Sequence, residues 1–306
     1  MRLFGPFVLI ACLAATTLVA QNAPRPAGDA TSVLAAARQA LGGEKKLSAV
    51  KTFVATGRTQ QVRGDNLVPI EFEIACELPD KYVRKDEIPA QESGPTSTGF
   101  NGDALIQIPA PPQMPQMPMT PARPGGRAGG APPTQAQMDA MRKARANTVK
   151  QDFVRLTLGM FATSFGSYPL TFSYVGRAEA PQGKADVLDV KGPANFTLRL
   201  FVNTDTHLPI MVSWNLPSPP SPPSPPSSLT GRGAPGQPPT TPTTPPGPAP
   251  PREARIYYAD YRDVDGLQLP FRLRRAIAGD TVEETTFDRF KINVKIDPRK
   301  FEVLTK

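Results

Sequence analysis

The sequence predicts a mainly β, α+β fold: a curved antiparallel sheet covered by helices. Three observations carry that expectation. Many segments alternate apolar and polar residues with a period of two, as half-buried strands do. Turn dipeptides separate them, Asp265-Gly266 being the strongest, because both residues tolerate the positive φ of a primed hairpin turn. Two stretches, 31–41 and 134–160, carry apolar residues at helical spacing.

The pattern is clearest at the C-terminus. Residues 256–262 are dense in β-branched and aromatic side chains and stop at Asp265-Gly266. Beyond it, Leu267, Leu269, Phe271 and Leu273 share one face, while Gln268, Arg272 and Arg274 share the other. Gly279-Asp280 reads as the next turn. Phe290, Ile292, Val294 and Ile296 then alternate with Arg289, Lys291, Asn293 and Lys295. Phe287 sits on the opposite phase to Phe290, which predicts a bulge near Asp288 that lets the sheet curl. Asp297-Pro298 ends the strand, since proline has no ladder donor, and Phe301 is expected to tuck back as a plug.

At the other terminus, Met1-Arg2 precedes an apolar run over 3–20 that ends Leu18-Val19-Ala20. Its charge, length and small last residue are those of a cleaved secretory signal, so residues 1–20 are expected to be removed. Leu9-Ile10-Ala11-Cys12 offers a minor alternative, a lipobox that would place a lipid anchor on Cys12, but the apolar run continues past the cysteine. An uncleaved span is disfavoured by Gly5-Pro6 and by a run barely long enough to cross.

The chain has 306 residues and 38 prolines, more than twice the usual share of about 5%. They cluster in 109–133 and 217–251, which together with the leader leave roughly 200 to 230 residues for order. A single domain over 21–306, interrupted by those two segments, is expected. Both interruptions are too poor in large apolar residues to offset the entropy of ordering. Met114, Met117 and Met119 suit cuprous ion, yet without a histidine among them they read as composition and no metal is assigned.

Taken in order, Thr31 or Ser32 caps a helix with Val33, Leu34, Ala37, Ala40 and Leu41 on one face, and Gly42-Gly43 ends it. A further helical turn over 45–50 precedes a strand over 52–62. Arg63-Gly64-Asp65-Asn66 is read as a plain turn. Val68, Ile70, Phe72, Ile74, Cys76 and Leu78 then point inward, with Glu71, Glu73 and Glu77 outward. Carboxylates two apart on a wet strand face are ordinary, so they are not assigned acid–base work. A strand over 81–88 and a hairpin around Asn101-Gly102-Asp103 follow. Thr134 caps a long helix through Met138, Met141, Val149, Phe153, Leu156 and Met160, basic at Arg142, Lys143 and Arg145. It is expected to lie as a lid across the concave face of the sheet, with a membrane-surface helix as the alternative. Strands resume over 170–178 and 187–190, then through Phe196, Leu198, Leu200 and Val202. Residues 203–206 turn the chain, and the segment 217–251 interrupts a hairpin between 208–214 and 254–262.

Little chemistry is encoded. The net charge of +8 and a pI near 9.6 would suggest nucleic acid in a cytosolic protein. Behind a secretory signal they point instead to anionic headgroups, lipopolysaccharide or envelope polymers. With Cys12 removed, Cys76 is the only thiol, so no internal disulfide forms; it reads as a buried structural residue. The one histidine, His207, excludes a two-histidine metal motif and argues against a Ser or Cys triad. No nucleophile elbow, phosphate loop or dinucleotide fingerprint is present. No catalytic residue, cofactor or metal is assigned.

Several turns and strand ends carry a resemblance. These are Ala40-Leu41-Gly42-Gly43, then 200–209 with Asn203-Thr204-Asp205-Thr206-His207-Leu208-Pro209, then 258–270 around Asp265-Gly266-Leu267-Gln268-Leu269-Pro270, and 296–301 with Asp297-Pro298. Together they resemble the outer-membrane lipoprotein-sorting (LolA/LolB-like) superfamily. The resemblance implies a non-enzymatic protein of the Gram-negative periplasm with an unclosed half-barrel sheet, helices plugging its mouth and an apolar cavity for acyl chains. Its partner would be a lipid or a lipidated protein, with no stable transmembrane span after signal removal. Phe72, Ile74, Leu198, Leu200, Leu269 and Phe271, on the apolar strand faces, are the expected cavity lining. The rival expectation is an envelope scaffold with a filled core, acting through proline-rich arms and the basic face of Arg272, Arg274, Arg289, Lys291 and Lys295. Whether the concave side is hollow separates the two.

Overall fold

The computed structural model describes residues 29–89, 91–92, 94–109, 134–180, 183–216 and 252–303. The expectations for the leader, Cys12, the three methionines and the proline-rich segments lie outside the described residues.

Three α-helices and twelve strands are present among the described residues: α1 (Ala30–Ala40), α2 (Glu44–Ala49), β1 (Thr52–Arg63), β2 (Asn66–Glu77), β3 (Lys81–Glu87), β4 (Thr96–Asn101), β5 (Ala104–Ile108), α3 (Gln135–Phe161), β6 (Thr171–Ala180), β7 (Gly183–Gly192), β8 (Phe196–Asn203), β9 (Pro209–Asn215), β10 (Glu253–Val264), β11 (Leu267–Ile277) and β12 (Asp280–Ile292). All strands form one antiparallel sheet in the order β5-β4-β3-β2-β1-β12-β11-β10-β9-β8-β7-β6. Successive strands are neighbours within two meanders, β1–β5 and β6–β12, and pairing of β1 with β12 joins the two into one sheet. The edges, β5 and β6, do not meet, so the sheet is an open half-barrel and not a closed one.

Curvature follows from what the helix touches. Strands β4 and β8 stand eight places apart, which would be roughly 40 Å in a flat sheet. Yet Phe153 of α3 meets the Phe100 ring at 5.4 Å, and two residues on the Arg155 guanidinium lies 5.2 Å from the Phe196 ring. The sheet therefore wraps the helix. The predicted bulge is one of its bends: Thr56 pairs with Arg289 and Gly57 with Phe287, leaving Asp288 unopposed. Gly57 faces the bulge so closely that a Cβ would lie 2.2 Å from the Thr286 carbonyl oxygen. Phe287 and Phe290 consequently both point inward, with centroids 4.8 Å apart.

Thr134 caps α3 as predicted, within a reciprocal capping box completed by Gln137. From Phe153 to Phe161 every residue of α3 is buried, whereas Met138 and Met141 near its start are 41% and 52% exposed. The helix is a core element over its second half. Two tyrosines of β10 tie it down: the Tyr258 hydroxyl donates to the Arg155 carbonyl, and the Tyr261 hydroxyl reaches the carbonyls of Gly159 at 2.9 Å and Pro209 at 2.7 Å.

Local readings hold with some corrections. Asp265 and Gly266 take φ of 55° and 79°, the left-handed pair that the primed turn requires. The next turn is centred one residue earlier than expected, on Ala278 and Gly279, both at positive φ, and β12 begins at Asp280. That strand ends at Ile292, so Val294 and Ile296 lie beyond it. Asn293 causes the break: it adopts φ 53°, and its side chain accepts from Lys51 N and donates to Ala49 O. The N-cap of α1 is Asp29, with the Ser32 hydroxyl donating to its carbonyl. Ala254 pairs with Trp214, so β9 and β10 form the expected interrupted hairpin. Phe301 is buried, as the plug reading anticipated, but with Ala75, Val83 and Ile106 on the face of the sheet away from α3.

Helices α1 and α2 close one end of the trough. Val33, Ala37 and Leu41 are buried, and Leu41 O accepts from Gln268 N at 2.9 Å beside the β10–β11 turn. At the opposite end the trough is not covered by these helices.

Gly159 tests the helix seat, because a Cβ there would sit 2.5 Å from the Tyr258 ring. Gly159→Ala is expected to destabilise by about 1–2 kcal/mol in urea unfolding, overpacking outweighing the gain in helix propensity. Gly166→Ala, where a Cβ meets nothing within 4 Å, is expected to change stability by less than about 0.5 kcal/mol.

Candidate ligand cavity

Inward positions change character along the strands. Near α1 and α2 they are large and apolar: Phe53 on β1, Cys76 on β2, Leu267 and Leu269 on β11, Phe290 on β12. Toward the other end the same phases become Thr59 and Gln61 on β1, Arg275 on β11, and Thr285 and Glu283 on β12. On β3 the phase of buried Tyr82 continues into Arg84 and Asp86. The sheet's inner face thus has an apolar floor and a polar mouth.

A cavity of about 330 Å³ lies at that transition, between this face and Val149, Asp152 and Leu156 of α3. Ile70, Ile74, Tyr82, Ile256, Leu273 and Phe287 make its apolar wall. At its polar end the buried hydroxyls of Thr59 and Thr285 lie 2.9 Å apart. Arg84 bonds Asp86 Oδ1 through Nε at 2.7 Å and Thr59 Oγ1 through Nη2 at 3.1 Å, stacking 4.6 Å from the Phe72 ring. Burial, the largest single effect, would lower its pKa, but Asp86, Tyr82 and Glu283 together outweigh that and raise it. Arg155, 8% exposed, bonds Asp152 Oδ1 at 2.8 Å. Burial lowers the Arg155 pKa, and the positive charge of Arg275 adds to the effect. The Nε atoms of Arg155 and Arg275 are both buried without a hydrogen-bond partner among the described residues.

Of the six expected lining residues, Ile74 borders this cavity. Phe72, Leu198, Leu200, Leu269 and Phe271 are buried in the main core beside it. The polar wall was not singled out in the sequence, although one signal was available: Arg275 shares the phase of Leu269, Phe271 and Leu273, and an arginine on an inward phase is an anomaly. On the outer face, Arg272 pairs with Glu284 and Arg274 stacks on Tyr257, while Arg289, Lys291 and Lys295 are exposed. A second hollow of about 280 Å³, bordered by Arg38, Leu47, Phe161 and Phe165, lies under α1 and α2. Among the described residues no group of His, Cys, Asp and Glu could hold a metal ion, and no helix is long and apolar enough to cross a membrane.

The structure is thus an open half-barrel with a helix seated in its trough and a hollow beneath that helix. No family model matches the chain, and no curated protein matches it. Solved structures do. The chain is similar to a LolA superfamily protein from Nitrosomonas europaea, with 13% identity and a TM-score of 0.48 over 90% of this chain and 98% of that one. It is similar to a domain assigned to outer membrane lipoprotein sorting from Vibrio parahaemolyticus, with 9% identity and a TM-score of 0.46 over 89% and 97%. A DUF1329 family protein from Desulfovibrio piger follows at 7% and 0.41 over 89% and 97%. Identities this low transfer neither a ligand nor a site residue.

Cys76 is fully buried, and burial pushes its thiol pKa up. In a chain beginning at Gln21, native protein is expected to leave a thiol-reactive dye unmodified, with one equivalent incorporated only in denaturant; rapid native labelling would overturn the buried assignment.

Proposed function

We propose that residues 21–306 form one exported, non-enzymatic domain that holds an apolar or amphiphilic ligand, such as the acyl chain of a lipid or lipidated protein, beneath α3. The observation that carries this reading is the hollow of about 330 Å³ between α3 and the inner face of the sheet. That volume falls in the range of roughly 300–1,000 Å³ typical of small-molecule sites. Its apolar wall removes hydrocarbon from water, which contributes about 0.8 kcal/mol per buried methylene. Export to the periplasm rests on the leader over 1–20. A scaffold working through a filled core would have no use for the hollow.

Mature protein purified under native conditions is expected to retain co-purifying lipid by mass spectrometry and to bind a fluorescent fatty acid after delipidation. Leu273→Trp, which fills the apolar wall, is expected to weaken that binding about tenfold or more while the urea midpoint stays near wild type. Wild-type protein that retains no lipid and binds no fatty acid would overturn the proposal.

A further inference from the structure

The cavity's mouth holds an arginine that its surroundings leave unanswered. Arg275 stands on the inward phase of β11, after Leu269, Phe271 and Leu273, where a charged side chain is costly to keep unless it is paired. Its Nε is buried without an acceptor, and it forms no ion pair among the described residues. Glu283 lies opposite it across the β11–β12 ladder, yet that carboxylate accepts from the Thr285 hydroxyl at 3.5 Å and acts electrostatically on Arg84, without pairing with Arg275 among the described residues. The other acids of the cavity are engaged: Asp86 with Arg84, and Asp152 with Arg155.

A second guanidinium heightens the imbalance. Arg155 and Arg275 lie 4.3 Å and 5.7 Å from the ring of Trp214, so two like charges share one indole. Among the described residues Arg155 has Asp152 as its only carboxylate partner, and the Asp152 side chain is 56% exposed. Its own Nε is also unanswered. An oxyanion beside Arg275 would give a planar fork of donors the bidentate acceptor it lacks and would offset the repulsion between the two arginines. Ile70, Ile74 and Leu273 continue the wall away from this point, so an anion seated here has hydrocarbon surface next to it.

We propose that the ligand is an anionic amphiphile whose carboxylate or phosphate headgroup is held by Arg275 at the mouth while its chain lies on the apolar wall. This rests on the ligand-binding reading above. A neutral headgroup leaves the guanidinium without its charge-assisted acceptor, and a cationic one meets it directly.

Trp214 is the only tryptophan in the chain, so intrinsic fluorescence reports on ligand seated beside Arg275. Delipidated mature protein would be titrated at pH 8 with dodecanoate, dodecyl phosphate, dodecanol and inorganic phosphate, in wild type and Arg275→Gln. The two anionic amphiphiles are expected to bind at least about tenfold more tightly than dodecanol, and Arg275→Gln to erase that preference while leaving dodecanol affinity unchanged. Equal binding of acid and alcohol by wild type overturns the inference, as does an Arg275→Gln loss common to both. Inorganic phosphate binding as tightly as dodecyl phosphate also overturns it, since the site would then take a free anion. If no chain-bearing ligand binds, the underlying ligand-binding reading fails instead. Where Arg275→Gln shifts the urea midpoint, Arg275→Lys is the comparison: it keeps the charge, and it must keep a preference for anion over alcohol for the inference to stand.

Discussion

The path of the chain between the two sheet edges is the constraint on which the rest depends. Strand β5 leaves the sheet at one edge and β6 re-enters at the other, twelve strands across, so the connection must cross a face of the sheet. A connection over a face is stable only as an element that satisfies its own backbone, and a 27-residue helix does so. Once α3 lies on that face, burying its second half requires strands from both halves of the meander to curl around it. Phe153 meets Tyr82 and Phe100 on one flank, and Arg155 meets Phe196 and Trp214 on the other. Closure into a barrel would need β5 beside β6, and these strands are the two free edges of the sheet.

Much of this was legible because strands advertise themselves through a local period. The turn at Asp265-Gly266, the bulge at Asp288 and the cap at Thr134 each follow from two or three adjacent residues with a strong backbone preference. The misses have a common cause, which is that a tertiary partner outweighed the local pattern. Alternation continues through Asn293 to Ile296, but the amide of Asn293 finds both Lys51 N and Ala49 O, and those two bonds hold it at positive φ. Asp280 yields the turn to Ala278, a residue with no intrinsic preference for positive φ, because the register of β11 with β12 shifts just before it, between Arg275 and Ala276.

The candidate site was legible in outline and hidden in detail. Apolar phases identify which face is inside, and all six residues chosen on that basis are buried. They cannot identify where an interior is hollow, because hollowness depends on the volume arriving from a distant segment. Here that segment is α3, whose inward side chains shrink from Phe161 and Phe153 to Val149 and Ala146 toward its start. Aromatic rings pack in the trough where the helix is bulky, with the Phe165 ring 5.8 Å from that of Phe153 and 5.9 Å from that of Phe161. The hollow opens where the helix thins.

That thinning also decides the chemistry of the hollow. At the bulky end every inward strand position can be apolar, since a side chain from α3 reaches it. At the thin end Thr59, Arg84, Arg275 and Thr285 occupy the same inward phases, and each polar group there must find a partner inside the cavity or remain unanswered. Thr59 and Thr285 answer each other, and Arg84 is held by Asp86. Arg275 is the remainder of that pairing. A half-barrel that only needed a filled interior would gain stability from a leucine at this position, continuing the run of Leu269, Phe271 and Leu273. An inward arginine lying against the only tryptophan, at the edge of the space that α3 leaves on that wall, is better explained by what enters that space than by the fold that surrounds it.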